Sequence, residues 1–410
     1  MARTSRKAVV IGGGITGTLT AHALLEDGWE VTLLEAAHIG SGSSSRTAAG
    51  IRQQFSTRET VIGMQYSVEF YSRWKEETDG DLNPIQQNGY LFLFDQENAY
   101  DAARIRTVSQ QSWGLMEVEA LNQDALKTRF PFIETQEIVG ATWCPTDGFL
   151  RPEAIYNDAA QSIRTKGGTI LQNAAVIQAR HKSDQLEAVQ STKGWHEADL
   201  FLDCTNAWTH QLAPILGATP LPVAALKRYL WFIDRGSSWS DEHMEKMPMV
   251  VAPGGAYCRP ENKQSMMVGW AHDTRDEADA LNHEEQDQIE AEFFHRTGTD
   301  ARPYEAWMQL AECISPLAEF AGISSTSSGF YGSTPDHNPF IDFDPKIRNL
   351  IRMVGFSGHG AMFGPFSAAI ATGLAQAGQT LNSIEIKTGR ADLSAFHINR
   401  GFENHEQMVI

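Results

Sequence analysis

Gly12-Gly13-Gly14-Ile15-Thr16-Gly17 sets three glycines in a G-x-G-x-x-G pattern directly after the apolar run Ala8–Ile11, and Glu35 follows 18 residues after Gly17. The first two glycines allow a tight turn and close approach of the backbone to a pyrophosphate. The third allows a helix to pack on a strand, and the helix N-terminus offers free N–H groups at the positive end of its dipole. An acid at position 35 would accept hydrogen bonds from a ribose. Gly12, Gly14, Ile15, Thr16, Gly17 and Glu35 are therefore expected to contact a dinucleotide, and the unit alone leaves NAD and FAD open. A second candidate is the run Ile39–Arg52, whose Ser43, Ser45 and Arg46 stand among small residues ending in Ala49-Gly50-Ile51. Placed after the dinucleotide unit, such a loop is suited to hold the pyrophosphate and the far half of the cofactor. A third is Gly355–Gly360, where glycines 355, 358 and 360 let the backbone approach a flat ligand.

The elements that must position these residues can be read coarsely. Ala8–Ile11 and Trp29–Glu35 read as parallel strands flanking a helix over Ile15–Asp27, with Gly28 tolerating the positive φ of a helix end. Gly89–Phe94 reads as a strand and Glu97–Ser109 as a helix. Between Gly168 and Cys204 four short strands follow one another, with a turn at Lys193-Gly194. Strands are expected at Met247–Ala252, Tyr257–Arg259, Ser265–Trp270 and Leu350–Gly355. A charged amphipathic helix is expected over residues 282–296, and a small-residue helix over Phe366–Ala377, opened by Pro365. The fold class is α/β (α+β).

Length and composition bound the function. A chain of 410 residues with 42% hydrophobic residues is long enough for two domains. Thirty-three Lys and Arg against 51 Asp and Glu leave a net charge of −18, which disfavours nucleic acid or an anionic membrane as partner. Cys144, Cys204, Cys258 and Cys313 are scattered, with no zinc spacing, and read as reduced buried thiols. No metal site is expected. The N-terminal apolar stretch is too short for a signal peptide or a membrane span, so a cytoplasmic protein is expected.

The segment GSGSSSRTAAGIRQQF resembles the flavin-contacting loop of the D-amino-acid oxidase and sarcosine oxidase superfamily. Ser328–Phe340 (SGFYGSTPDHNPF) resembles its tpDhnP segment, and Gly355–Gly360 followed by Met362 resembles its GFSGHG signature. Tyr257-Cys258-Arg259-Pro260 with Val268-Gly269 resembles its substrate-domain pattern. The β-type subunits of sarcosine oxidase and proline dehydrogenase are similar in the same motifs. The resemblance implies FAD as cofactor and adds Val176, Gly358, His359, Gly360 and Met362 to its contacts. It also implies interleaved domains: a FAD-binding Rossmann-like domain from 1–90, 145–222 and 325–410, and an antiparallel-sheet substrate domain from 91–144 and 223–324.

The implied activity is oxidation of the C–N bond of a small amino acid (a secondary, N-methyl or cyclic amine) to an imine, with a hydride passing to flavin N5. The alternatives kept open are a 2-hydroxy acid dehydrogenase on the same fold and a flavin subunit that works with partner subunits. Arg52 aligns with an arginine that binds the substrate carboxylate, Tyr257 and Tyr331 fall near active-site tyrosines, and Arg259 is a second cation nearby. His359 is expected in a hydrogen-bonding or electrostatic role, and His337 in a turn. The chain departs from the family at five positions. Gly329 stands where one member's cysteine carries the flavin, and Arg46 near the histidine that does so in others, so FAD is expected to be bound without a covalent bond. Met267 and Met362 replace two lysines, one of them oxygen-activating. Oxygen or another electron acceptor then becomes an open choice. Asn206 replaces a glycine in the turn after the last strand of the 168–204 series.

Overall fold

The computed structural model describes residues 6–78, 80–236, 239–270, 302–403 and 405–408, and the helix expected over 282–296 lies outside them. The structure is mixed α/β. Six strands form one sheet in the order Phe340–Phe343, Leu350–Val354, Leu200–Asp203, Lys7–Ile11, Glu30–Leu34 and Thr169–Leu171. All neighbours run parallel except the outermost Phe340–Phe343. Leu200–Asp203 and Leu350–Val354 are buried along their whole length, as strands covered on both faces must be.

Two helices lie together on this sheet, Ile15–Glu26 and Gly360–Ala377. Their close approach depends on missing side chains: a Cβ on Gly17 would stand 1.9 Å from the Gly12 carbonyl oxygen, and one on Gly364 would stand 2.7 Å from Leu19. The second helix differs from the sequence expectation. It begins at Gly360, with His359 as N-cap, so Pro365 sits inside it rather than opening it. A proline there has no N–H for the carbonyl four residues back, that of Ala361. The Tyr71 hydroxyl donates to this carbonyl at 2.7 Å and replaces the lost bond.

The larger sheet has eight strands, in the order Gly322–Ser333, Ala224–Asp234, Ser265–Trp270, Ala256–Pro260, Met249–Val251, Tyr90–Phe94, Gly140–Cys144 and Glu119–Asn122. Its pairings are antiparallel except Met249–Val251 with Tyr90–Phe94. Strand alternation divides its apolar residues between two faces. Leu91, Leu93 and Val250 pack into a core with the helix Arg302–Cys313. Tyr90, Phe92, Met249 and Val251 join Tyr257 and Met267 on the other face, against Ala48 of the glycine- and serine-rich loop. That loop is the seam between the two sheets.

The short strands of the 168–204 region occur at Thr169–Leu171, Val176–Lys182, Gln185–Ser191 and Leu200–Asp203, and an additional strand, Gly194–Glu197, follows the turn at Lys193. After the last of them Asn206 takes φ 49°, the left-handed conformation that a glycine would supply. Its side chain does more than a glycine could: Oδ1 accepts from the N–H groups of Gly355 at 2.9 Å and Phe356 at 3.2 Å. Asn206 thereby ties the start of the GFSGHG segment to the parallel sheet. No helix among the described residues is long and apolar enough to cross a membrane.

Tyr71→Phe leaves the Ala361 carbonyl buried without its donor and is expected to cost about 1–3 kcal/mol of stability. In a Pro365→Ala background, where the helix regains its own N–H, the same change costs clearly less. Urea unfolding of the two single variants and the double variant measures the difference.

Candidate active site

A cavity of about 540 Å³ opens where the glycine turn, the serine-rich loop and the GFSGHG segment converge. Gly12 forms its floor at φ 110°, and a Cβ there would stand 2.7 Å from the Cys204 carbonyl oxygen, so only glycine fits between the two strand ends. Glu35 is held at the end of its strand by the N–H groups of Gly13 at 2.7 Å and Ala37 at 2.8 Å. The first N–H of the opening helix, that of Ile15, donates to Ser44 Oγ at 3.0 Å. Nothing in the sequence distinguishes Ser44 from Ser43 and Ser45 on either side of it.

The loop itself is braced from inside. Ser43 Oγ donates to the Phe330 carbonyl at 2.5 Å. Arg46 folds back onto its own loop, donating to the carbonyls of Ser41 and Gly42 and to Ser45 Oγ. A Cβ on Gly329 would stand 2.7 Å from Arg46 Cβ, so the two positions associated with covalent flavin linkage lie side by side, and neither holds a cysteine or histidine.

Of the residues expected to contact a cofactor, Gly12, Gly14, Ile15, Thr16, Glu35, Ser43, Arg46, Val176, Gly358 and Gly360 line the cavity, together with Tyr331. Gly17 lies behind the wall, where it sets the helix on the strand. Ser45 is engaged within the loop by Gly42 and Arg46. Ala49, at φ 54°, leads into Gly50-Ile51, which pair with Gly148–Leu150 next to the cavity rather than in its wall. Met362 lies in the apolar core among the residues that pack the closing helix. Trp208 and Cys204 line the cavity without having been expected to.

Arg52 pairs with His359 and Tyr257 with Tyr331, and Tyr90 lies between the two pairs, within electrostatic reach of Arg52 and Tyr331. Of the four paired residues only Tyr331 lines the cavity. A Cβ on Gly358 would stand 2.5 Å from the Tyr331 ring, and the Tyr257 and Tyr331 hydroxyls are hydrogen-bonded to each other. Burial pushes both phenols above their usual range, so they remain neutral. Arg52 is fully buried. It donates to the Gln54 carbonyl at 2.5 Å, to His359 Nε2 at 3.2 Å and to the Met408 carbonyl, and its guanidinium lies 3.9 Å from the centre of the Phe55 ring. Burial, and after it the Arg52 charge, hold the His359 imidazole well below the usual histidine range. The neutral ring accepts through Nε2, which leaves its proton on Nδ1.

No carboxylate pairs with Arg52 among the described residues, and its Nε has no hydrogen-bond partner. Arg259 differs: it is paired with Glu261 at 2.7 Å and donates through Nε to the Ala48 carbonyl at 2.8 Å. One buried cation is thus satisfied and braces the loop, and the other keeps a free donor. His337, at φ 61°, lies in the turn expected of it. Among the described residues no group of three or more His, Cys, Asp or Glu side chains is placed to hold a metal ion.

Beneath Arg52 lies a carboxylate that no motif announced. Asp147 accepts from the backbone N–H of Gln53 at 2.7 Å, from Gln53 Nε2 at 3.0 Å and from Gln54 Nε2 at 3.1 Å. It therefore orients the two residues that follow Arg52. Burial pushes the Asp147 carboxyl up to about 6, against the hydrogen bonds from Gln54 and Gln53 and the Arg52 charge.

Three comparisons bear on the identity of the site. A model of the family described as DAO, FAD dependent oxidoreductase, matches residues 7–374. The chain is 26% identical to the FAD-dependent oxidoreductase domain-containing protein 1 of Bos taurus, over 87% of this chain and 78% of that one. It is 24% identical to the mitochondrial sarcosine dehydrogenase of Mus musculus over 88% of this chain, but spans only 38% of that protein's length. The crystal structure of L-proline dehydrogenase from P. horikoshii superposes with a TM-score of 0.80 at 27% identity, covering 92% of this chain and 94% of that one.

The raised Asp147 carboxyl gives a signed expectation. Folding favours its protonated form, a contribution complete below the ordinary value of 3.8 and lost as pH rises through about 6. Asp147→Asn never ionises, so its stability relative to wild type improves between pH 4 and pH 7, by up to the order of 3 kcal/mol. Thermal melts of both proteins across that range check it; a difference that is flat or that falls with pH contradicts it.

Proposed function

The chain belongs to the DAO family of FAD-dependent oxidoreductases, and from that premise we propose that it oxidises the C–N bond of a small amino acid whose nitrogen is a secondary amine, N-methyl or cyclic. The observation that carries this reading is Arg52. A fully buried guanidinium with an unpartnered Nε and, among the described residues, no carboxylate within ion-pair distance is a ready site for a carboxylate brought by the substrate, although the charges of Asp147 and Glu406 act on it from further off. The amine follows from the relatives, because sarcosine and proline, named by two of them, are both secondary amines that carry a carboxylate.

The residues around the cavity fit the family's cofactor. Gly12 leaves room for the backbone to approach a pyrophosphate, the start of the opening helix faces the same space, and Glu35 is oriented to accept from a ribose. With no cysteine at 329 and no histidine at 46, FAD is held by non-covalent contacts alone. When bound, FAD supplies the two-electron acceptor, its N5 receiving the hydride that leaves the carbon next to nitrogen as the imine forms.

The chain's own residues bind and orient. Arg52 takes the carboxylate and His359, neutral, steadies the guanidinium from the side of Gly358. Tyr257 and Tyr331 offer neutral hydroxyls beside the cavity end. The buried apolar cluster of Tyr90, Phe92, Met249, Val251 and Met267 borders Arg52 through Phe92 and keeps water from that side of the guanidinium. Met267 and Met362 both lie in apolar clusters, so neither supplies a cation that would favour reaction with oxygen. We therefore assign the protein as a dehydrogenase, with an acceptor other than oxygen and partner subunits as one route to it.

Anaerobic mixing of the flavin-loaded protein with N-methyl, cyclic and primary amino acids and with 2-hydroxy acids tests the proposal. Loss of flavin absorbance with secondary amino acids and slow recovery in air are expected, and acid precipitation is expected to leave FAD in the supernatant. Bleaching by 2-hydroxy acids alone, or by no amine, contradicts the reading, and rapid recovery in air contradicts the dehydrogenase assignment.

A further inference from the structure

The acceptor that Arg52 finds in place of a carboxylate comes from far along the chain. The Met408 carbonyl receives a hydrogen bond from Arg52 Nη2, and the Met408 side chain packs against the cluster of Tyr90, Phe92, Leu230, Met249, Val251 and Tyr257. Two residues earlier, Glu406 is buried and anchors the segment. Its carboxylate accepts from the N–H of Ser56 at 2.8 Å, Ser56 Oγ at 2.6 Å and Thr57 Oγ1 at 3.2 Å, and its own N–H donates to the Asp336 carbonyl at 3.0 Å. Glu406 Oε1 also accepts from the Met408 N–H at 2.9 Å, and Gln407 N–H donates to Ser56 Oγ at 2.9 Å. The anchor at Glu406 is thus made of several bonds to the loop that follows Arg52. Outside the segment's own fold, the tip at Met408 is held by one polar bond and by apolar packing.

We propose that Glu406–Met408 is an intramolecular stand-in for the substrate. It places one carbonyl oxygen on the carboxylate anchor and one unbranched apolar side chain against the apolar cluster that receives the substrate's substituent, and its tip must lift before a substrate seats. The inference rests on the reading of Arg52 as the carboxylate anchor. It adds the chemical class of the ligand: a monocarboxylate with an apolar substituent, because Met408 packs on the apolar cluster of Tyr90, Phe92, Leu230, Met249, Val251 and Tyr257, which Arg52 borders with its guanidinium 5.6 Å from the Phe92 ring.

The exchange is favoured by hydrogen-bond count. The carbonyl satisfies Nη2 and leaves Nε without a partner, whereas the two oxygens of a carboxylate can engage Nε and Nη2 together, with a full opposing charge. The segment therefore blocks the site against ligands that lack a carboxylate and yields to those that bring one. Its effect on affinity is that of an internal competitor: the apparent Kd equals the intrinsic Kd divided by the fraction of molecules with the tip lifted.

Glu406→Ala removes the anchor together with a negative charge that acts on Arg52. Glu406→Gln, which removes the same charge but keeps an acceptor for Ser56, is the control: equal tightening in both variants overturns the stand-in. Titration of flavin-loaded protein with acetate, propanoate and butanoate, followed by the perturbation of the flavin spectrum, is expected to show binding about tenfold tighter in Glu406→Ala than in wild type. Binding is also expected to strengthen from acetate to butanoate, and Arg52→Ala is expected to lose it. In wild type, saturating butanoate should raise hydrogen exchange in the peptide that contains residues 405–408, a readout independent of any variant's folding. Unchanged or weaker binding in Glu406→Ala, or exchange unaffected by butanoate, overturns the stand-in while leaving Arg52 as anchor. Equal carboxylate binding by Arg52→Ala and wild type overturns the anchor reading itself, and the stand-in with it.

Discussion

A guanidinium taken wholly out of water must be compensated, and the way Arg52 is compensated governs the arrangement of everything near it. An uncompensated buried ion costs several kcal/mol, and each hydrogen bond to a charged group returns about 1.5–3 kcal/mol. Among the described residues no carboxylate stands within ion-pair distance, and the charges of Glu406 and Asp147 act on the guanidinium only from further off. The protein supplies two backbone carbonyls, a neutral imidazole and the face of Phe55, and leaves Nε without a partner. The compensation is sufficient to hold the cation in place and incomplete enough to favour an incoming carboxylate. The alternative arrangement exists a short distance away in Arg259, where an ion pair with Glu261 removes any such vacancy.

This constraint passes outward through the fold. His359 can accept from Arg52 only while neutral, and its burial at the N-cap of the closing helix keeps it so. That helix can start at Gly360, directly beside the cavity, because Tyr71 replaces the bond that Pro365 cannot make. The strand that leads to it is tied to the parallel sheet through Asn206, and the segment that follows Arg52 is oriented by Asp147. The two sheets therefore meet at a place where nearly every polar group is already committed. Arg52 Nε and Gln54 Oε1 are the exceptions nearest the anchor among the described residues, and an open cavity lies beside Gly358 and Tyr331.

What the sequence disclosed follows from how far apart the interacting residues are. The strand, glycine turn, helix, second strand and Glu35 are legible because one local unit of about thirty residues carries every part of the argument. The serine-rich loop and the GFSGHG segment were legible as motifs, yet their internal bracing was not. Ser44 is indistinguishable from its neighbours until its hydroxyl is seen to accept from Ile15, 29 residues earlier. The usual preference of proline points to a helix start at Pro365, because the hydroxyl that lets it sit inside the helix reaches the Ala361 carbonyl from 290 residues away. Asp147 reaches Gln53, next to the anchor, from 94 residues away and Met408 reaches the anchor itself from 356, and neither belongs to a pattern that periodicity or spacing could reveal. Asn206 shows the converse: its departure from glycine was visible, and the structure shows a side chain that keeps the left-handed turn and adds two hydrogen bonds.

The account turns on recognition of a substrate carboxylate by Arg52, and one comparison tests it most directly. The rate of anaerobic flavin bleaching would be measured with an N-methyl amino acid and with the matching amine that lacks the carboxylate, in wild type and in Arg52→Met. Wild type should prefer the acid by about 100-fold, the equivalent of roughly 3 kcal/mol for a charge-assisted pair, and the variant should lose that preference while the rate with the bare amine stays close to the wild-type value. A preference for the acid that survives in Arg52→Met would contradict the account and place the carboxylate site elsewhere in the molecule.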